Sequence, residues 1–361
     1  VEKILKTFPA VDQLLAGFAT GDAISHEARI LQKLFRAEGY RSDLFVDAAH
    51  AGAHMKTTWH PLEAYKPHPE KLLIYHYAGE SPATQCFLSS ESRKIIRYHN
   101  ITPGHFFKRY DDQLAERLEK SRKELVDVCR QADALWAVSE YNAKEIRDLD
   151  VGSVTVFSLM FDPDSVTGTA DPEFTQKIAS DTVDVLFVGR LVPNKNIEEL
   201  IQAFAVYHHR INPMSRLFIV GSEWSCPRYY TMLKLLSAEM STQRIHFQGF
   251  VSAAHLPSYY EIADVFITTS LHEGYCLPVI EAMHKGVPVI ARETGGIPEA
   301  LGNAGVLYQN LSITELAELI HLVTSDPHWK ERILASQQKR MAALMRRPIK
   351  REIEDLLRNF H

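Results

Sequence analysis

Short apolar runs alternate with longer amphipathic ones along almost the whole chain, and this alternation narrows the folds it can adopt. In the first half, "VDQLLAGF", "DLFVD", "KLLIYHY", "RKIIRYHN", "ALWAVS" and "SVTVFS" read as strands, with helical patterns such as "SHEARILQKLFRAEGY" between them. In the second half, "DVLFVG", "RLFIVG", "RIHFQG", "VFITTS" and "VPVIA" alternate with "NIEELIQAFAVYHHRI", "YYTMLKLLSAEM", "AHLPSYYEIA" and "PVIEAMHKG". Continuous Val/Ile/Leu/Phe strands need cover on both faces, which parallel α/β sheets receive from their crossover helices. Two such series imply an α/β protein with two Rossmann-like, doubly wound parallel-sheet domains. A stretch rich in Asp, Thr, Pro and Gly, residues 162–181, reads as the linker between domains at 1–161 and 182–335. The last segment, 336–361, is helical by composition but interrupted at Pro348.

A length of 361 residues fits two domains. The formal charge of −5 argues against a dedicated nucleic-acid binder, so no nucleic-acid partner is expected. Cys86, Cys129, Cys226 and Cys276 lack C-x-x-C spacing, which disfavours a disulfide framework or a zinc site and fits a reducing, cytoplasmic setting. No apolar run reaches the length of a spanning helix, and the start has no signal-peptide core.

Ligands of open parallel sheets bind beyond the carboxyl ends of the strands. After the strand ending at Gly189 come Arg190 and Lys195, just ahead of a helix. Two cations and a helix N-terminus suit a phosphate or pyrophosphate. A loop with solvated cations explains the same residues, and the G-K-[ST] ending of a P-loop is absent. In "SLHEGYCLPVIEAM", Pro278 suits a first helical turn, so the amides of Gly274, Tyr275, Cys276 and Leu277 can face a ligand. Glu273 and Glu281 flank that turn and can accept from sugar hydroxyls. The competing account is a solvated Glu273 and a Glu281 placed by the helix dipole. "ARETGGIPEAL" adds a Gly295-Gly296 turn, and "RYHNITPGHFF" places His99 at a strand end. "GFATGDAIS" sets Gly21 and Asp22 before the first helix without forming G-x-G-x-x-G. The Asp-x-Asp matches at Asp148–Asp150 and Asp162–Asp164, and the His208-His209 pair, read as ordinary loop and helix residues. No metal is expected.

Together, "GRLVPNKN", "EGYCLPVIEAMHKGVPVIA" and "TGGIPEAL" resemble glycosyltransferase family 4, retaining enzymes of the GT-B architecture. "GDAIS", "LLIYHYAGESP" and "IIRYHNITPGHFF" extend the resemblance to a bacterial branch and over nearly the whole chain. It implies two domains facing across a cleft. Residues 1–161 would form the acceptor side, 182–335 would hold a nucleotide sugar, and the C-terminal helices would pack back on the first domain. By that resemblance Arg190 and Lys195 bind the donor diphosphate, and Glu281 takes the ribose hydroxyls. Glu273 reaches the transferred sugar, and the loop from Gly189 and that from Gly274 to Leu277 contact donor. Phe250 and Val251 lie near the base, His99 near the sugar ring, and Gly21 and Asp22 near the diphosphate.

Two departures from the family pattern stand out: Lys195 is followed by Asn196 where Gly is usual, and Tyr275 replaces Phe. The expected activity is transfer of a hexose from a UDP- or GDP-sugar to a saccharide or lipid-linked saccharide acceptor, with no cofactor. Rival functions are epimerisation of the nucleotide sugar, or sugar-nucleotide binding without catalysis. Lys339, Arg340, Arg346, Arg347, Lys350 and Arg351 suit either peripheral contact with an anionic membrane or a solvated helix face.

Overall fold

The computed structural model describes residues 8–52, 58–163 and 170–358. They form two compact units, one comprising the chain to Gly104, Gln113–Met160 and the stretch from Arg347, the other His105–Asp112 and Phe161–Arg346.

The first unit holds strands β1 (Val11–Leu15), β2 (Leu44–Val46), β3 (His60–Pro61), β4 (Leu72–Tyr77), β5 (Arg93–Tyr98), β6 (Ala134–Ala137) and β7 (Val154–Val156). They make one parallel sheet in the order β3-β2-β1-β4-β5-β6-β7. Every residue of β1 and β4 is buried, as cover on both faces requires. Helix α1 (Ala23–Ala37) begins where the Asp22 carboxylate accepts from the Ser25 amide, and its Ala28, Leu31 and Phe35 recur at helical spacing on the buried face. Helices α2 (Pro82–Ser89), α3 (Asp112–Arg130) and α4 (Glu140–Asp148) complete the crossovers.

In the second unit the strands are β8 (Val183–Val188), β9 (Ser215–Val220), β10 (Ile245–Gly249), β11 (Val265–Thr268), β12 (Val289–Arg292) and β13 (Val306–Tyr308). Their parallel order is β10-β9-β8-β11-β12-β13. Its helices are α5 (Pro172–Ile178), α6 (Ile197–Val206), α7 (Pro227–Glu239), α8 (Leu256–Ile262), α9 (Leu277–His284), α10 (Ile297–Leu301), α11 (Ile313–Ser325) and α12 (Pro327–Met345). Both sheets reverse their winding beside their first strand, between β1 and β4 and between β8 and β11. Such reversals leave crevices at the carboxyl ends of the strands.

The structure differs from the sequence reading at three places. Part of the stretch read as a linker is α5, capped by Asp171 and docked on α8 through Thr175 to Ser258 (2.8 Å) and Phe174 against His255. Seven residues with Pro at the start show too little apolar period to read as a helix. The return to the first unit begins at Arg347 rather than at 336. Helix α12 stays with the second unit because buried Gln337 accepts from the Val289 amide and donates to the Val287 carbonyl, both at 2.9 Å. Strands β3 and β13 were not anticipated; both are edge strands of two or three residues. The break at Pro348 is present, with a final helix α13 (Ile349–Arg358) beyond it. No described helix is long and apolar enough to cross a membrane.

Helix α13 buries Ile353, Leu356 and Leu357 in a cluster with Val11, Leu31, Phe35, Tyr40 and Ile74. Removing a buried aliphatic side chain costs about 2–5 kcal/mol. Ile353→Ala is therefore expected to lower the urea midpoint of the first unit by a loss in that range. A melt matching the parent would show that α13 is not docked.

Candidate active site

The loops that follow β8 and β11 are bonded to each other at the winding reversal of the second unit. The Asn194 side-chain amide donates to the His272 carbonyl (3.0 Å), and the Leu271 amide donates to the Asn194 carbonyl (2.8 Å). The Thr269 hydroxyl reaches the carbonyls of Lys195 and Asn196 at 3.2 and 2.8 Å. Pro193–Lys195 make one 3-10 turn, and Asn196 then takes a left-handed conformation (φ 51°, ψ 44°) before α6 begins. Gly is the usual residue in that region and Asn the next best tolerated. The Lys-Asn departure therefore keeps the backbone shape that a Lys-Gly pair would supply.

Lys195 Nζ lies 2.5 Å from Glu273 Oε1, which also accepts from the Ser270 hydroxyl at 2.9 Å. Glu273 is 8 % exposed, so a solvated surface acid is excluded. The two cations expected to act together stand differently: Lys195 is held by Glu273, whereas Arg190, one residue past Gly189, is exposed. Glu281 accepts from the Tyr260 hydroxyl at 2.7 Å, and desolvation raises its carboxyl above the ordinary range. The two acids thus have separate partners. Cys276 occupies the N-cap of α9 in a left-handed conformation (φ 81°), and burial followed by the charge of Glu273 pushes its thiol well up. Tyr275 is buried, and Leu277 is half-buried as the first residue of α9. Among the described residues the amides of Gly274, Cys276 and Leu277 have no backbone acceptor.

Glycines set this geometry. A Cβ on Gly295 would lie 2.1 Å from the Glu273 carbonyl oxygen, and one on Gly296 would lie 2.2 Å from that of Gly274. The Gly295-Gly296 turn is the surface on which the Glu273 loop rests, and the Gly296 amide donates to the Glu273 carbonyl (2.9 Å). Further along the sheet, Phe250 is exposed and Val251 half-buried in the loop after β10. Beside them Glu223 has one enclosed carboxylate oxygen with no hydrogen-bond partner among the described residues.

In the first unit, Gly21 (φ 76°) and Asp22 form the turn into α1, where the Asp22 carboxylate accepts from both the amide and the hydroxyl of Ser25. His99 Nε2 lies 2.9 Å from His76 Nδ1 and 3.4 Å from Glu27 Oε2. Arg97 grips both oxygens of Glu27, at 2.5 and 3.1 Å, and donates to the carbonyls of Ala137 and Phe157. Glu27, His76 and His99 are near enough to converge on one ion, but the guanidinium already spans the carboxylate and disfavours a second cation there. Burial, then the charge of Arg97, lowers His76 to about 3; burial, then His76 and Arg97, lowers His99 well below its ordinary value. The sequence reading singled out His99 and missed Gln13, Glu27, His76 and Arg97. The available signal was polar residues inside strands that are otherwise apolar, as in "VDQLL", "LLIYHY" and "IIRY".

Other sequence signals have local explanations. Asp148 pairs with Lys144 at 2.7 Å, Asp164 lies outside the described residues, and His208 and His209 bond Ser215 and the Met240 carbonyl. In the basic cluster, Arg340 donates to the carbonyls of Glu299 and Ala300, Arg347 pairs with Glu352, Lys350 with Glu38 and Arg351 with Asp355. Lys339 and Arg346 are exposed.

Two measurements follow from this geometry. Asn196→Gly is expected to leave stability within about 1 kcal/mol, whereas Asn196→Val places a β-branched residue at positive φ and costs about 1–3 kcal/mol. Equal melting of the two variants would refute the strained turn. Burial holds folded His76 near pKa 3 against about 6.5 when unfolded, so between those values the unfolded chain binds more protons and stability is lost as the pH is lowered. The parent should lose about 1.4 kcal/mol more per pH unit than His76→Asn from about pH 5.5 downward, read from urea melts. Parallel slopes would show that His76 is not buried neutral.

Residues 171–341, most of the second unit, match the family described as "Glycosyl transferases group 1". The O-antigen chain mannosyltransferase B of Escherichia coli is 29 % identical over 149 residues, which is 40 % of this chain and 38 % of that protein. Two further curated relatives are matched over 27 % and 25 % of their lengths, so the chain spans well under half of each of these three relatives. Among solved structures, sucrose-phosphate synthase from Thermosynechococcus elongatus aligns with 97 % of this chain and 98 % of its own, with TM-score 0.75 at 21 % identity. Anabaena HepE, crystallised with UDP-glucose, aligns over the same shares with TM-score 0.76 at 19 % identity. These structures share the fold of this chain. The match to group 1 glycosyltransferases takes in the loops of the second unit whose motifs resemble glycosyltransferase family 4.

Proposed function

We propose that the protein is a retaining glycosyltransferase that moves a hexose from a UDP- or GDP-linked donor to a saccharide acceptor hydroxyl. The observation that carries this reading is the Lys195–Glu273 contact beside the acceptor-free amides of Gly274, Cys276 and Leu277. It puts a cation and N–H donors where a diphosphate would lie, next to an acid that can accept from sugar hydroxyls. The mannosyltransferase named among the relatives and the UDP-glucose held by HepE agree with a hexose and a nucleoside diphosphate.

In this reading a donor phosphate takes over Lys195 from Glu273, and the freed carboxylate oxygen accepts from the transferred sugar. Arg190 folds onto the diphosphate from its exposed position, and Glu281, near Tyr260, takes the ribose. Phe250 and Val251 border the base, and His99 meets a sugar hydroxyl. Gly21 and Asp22 contribute at the turn into α1. The bond from the anomeric carbon to the phosphate oxygen breaks with its electron pair leaving on the nucleoside diphosphate. The acceptor oxygen bonds to that carbon from the same face, and its proton passes to a departing phosphate oxygen. Lys195, Arg190 and the loop amides supply the neutralising charge, so the mechanism assigns no step to a metal. Lost preorganised donors of this kind cost about 3–4 kcal/mol. Four of the six residues in the basic cluster have partners within the fold, which leaves Lys339 and Arg346 as the cations for any peripheral membrane contact. A cytoplasmic setting agrees with the four free cysteines.

Lys195→Ala is expected to cut turnover at least about a hundredfold with the melting temperature little changed. Near-normal turnover would overturn the assignment. A thermal-shift panel of UDP- and GDP-sugars reads the donor directly, because a ligand bound only to the folded state raises its melting point by mass action. Conversion of the donor to an epimer without acceptor, or a shift with no turnover under any acceptor, would replace transfer by the corresponding rival.

A further inference from the structure

The buried side chains behind His99 form a chain of hydrogen bonds with only one consistent proton arrangement. Gln13 and His76 are almost fully enclosed, at 0 % and 1 % exposure. The Gln13 Nε2 amide donates to the Ala28 carbonyl at 3.1 Å, which turns its Oε1 toward His76 Nε2, 2.8 Å away. An amide oxygen only accepts, so His76 Nε2 must carry the proton. Neutral His76 then has a lone pair on Nδ1, facing His99 Nε2 at 2.9 Å, so that nitrogen must carry a proton as well. Glu27 Oε2, 3.4 Å from the same nitrogen, is a second acceptor acting in the same sense. Arg97 fixes Glu27 from the other side by donating to both of its carboxylate oxygens. What remains on His99 is Nδ1, which has no hydrogen bond among the described residues.

We propose that Gln13 and His76 are positioning residues that lock His99 as its Nε2–H tautomer and so present the Nδ1 lone pair to a substrate hydroxyl. The Glu27–Arg97 pair fastens the relay to the core of the first unit. The lock serves recognition: a ring that can only accept at Nδ1 orients the hydroxyl as donor and rejects a ligand acceptor at the same place. Mismatched buried polar groups of that kind cost about 1–3 kcal/mol. The role given to the hydroxyl rests on the glycosyltransferase reading above; the tautomer does not.

The test has two arms on the full chain. The first is ring-nitrogen NMR of the ligand-free protein labelled with 15N-histidine, with His99 assigned by its loss in His99→Gln. His99 is expected to show a protonated Nε2 and an unprotonated Nδ1 in the parent and in His76→Asn, whose side-chain oxygen can take the place of Nδ1 as acceptor. It should show a mixed tautomer in His76→Leu, where the longer contact to Glu27 Oε2 at 3.4 Å is what remains to hold Nε2–H. A protonated Nδ1 in the parent overturns the relay, whatever the variants do. In the second arm, kcat/KM for the donor should fall about tenfold in His76→Leu, the loss of one such hydrogen bond, and recover to within about threefold in His76→Asn. Equal losses in both variants would overturn the relay as a positioning device and leave His76 a packing residue. A mixed tautomer in His76→Leu with parental kcat/KM would leave the lock standing and overturn the substrate role of His99.

Discussion

The carboxyl-end surface of the second unit depends on backbone resting on backbone. The carbonyl of Gly189 lies where a Cβ on Gly221 would come within 1.8 Å, and the carbonyls of Glu273 and Gly274 lie just as close over Gly295 and Gly296. Side chains cannot intervene at these contacts, so neighbouring loops approach to hydrogen-bond distance and fix one another. The Gly189 amide bonds the Val220 carbonyl, the Gly221 amide that of Gly249, and the Gly296 amide that of Glu273. Loops bonded in this way hold Lys195 and Glu273 in contact. The ordering entropy has then been lost on folding, not on binding, which is how preorganised sites gain affinity.

Much of this was legible in the sequence because parallel sheets leave plain traces. Apolar runs such as "KLLIYHY" and "DVLFVG" lack alternation because both faces are covered, and every residue of β4 is indeed enclosed. The loops were legible for the same reason: the segments that follow the strands of such a sheet lie at its carboxyl end, so the loops carrying Arg190, Lys195 and Glu273 stood in predictable places. Pairing was not legible. Nothing in a one-dimensional pattern says that Lys195 reaches Glu273 and that Arg190 does not, because the choice depends on how the loops after β8 and β11 cross. Edge strands β3 and β13 escaped for a different reason, being too short to show a period. The helix α5 hid within a composition suited to loops, and its stability comes from packing on α8.

The polar interior of the first unit marks a second limit. A Gln, a His and an Arg inside strands that are otherwise apolar are costly unless each donor and acceptor is matched. Read as strand residues, Gln13, His76 and Arg97 merely lower a local apolar score. Read as members of one hydrogen-bond network, they require one another, and only the register that places Gln13 opposite Ile74, two residues before His76, shows it. Sequence spacing carries the period of a strand but not which neighbour stands beside it.

Two buried acid–base contacts in this chain show how geometry separates a fixed anchor from an exchangeable contact. Arg97 uses a forked grip on Glu27 and spends its remaining donors on the carbonyls of Ala137 and Phe157, with neither side chain above 1 % exposure. Parting such a pair would strand two buried charges at a cost of about 3–5 kcal/mol, so no ligand anion can compete for it. Lys195 makes one contact to Glu273, and its side chain keeps 16 % exposure. On the glycosyltransferase reading proposed above, its remaining N–H donors and a nearby helix start favour the donor phosphate, and the Ser270 hydroxyl stays as a partner for Glu273 when the lysine turns away. A single, partly exposed contact of this kind is exchanged with little loss, whereas a forked and fully enclosed one is not.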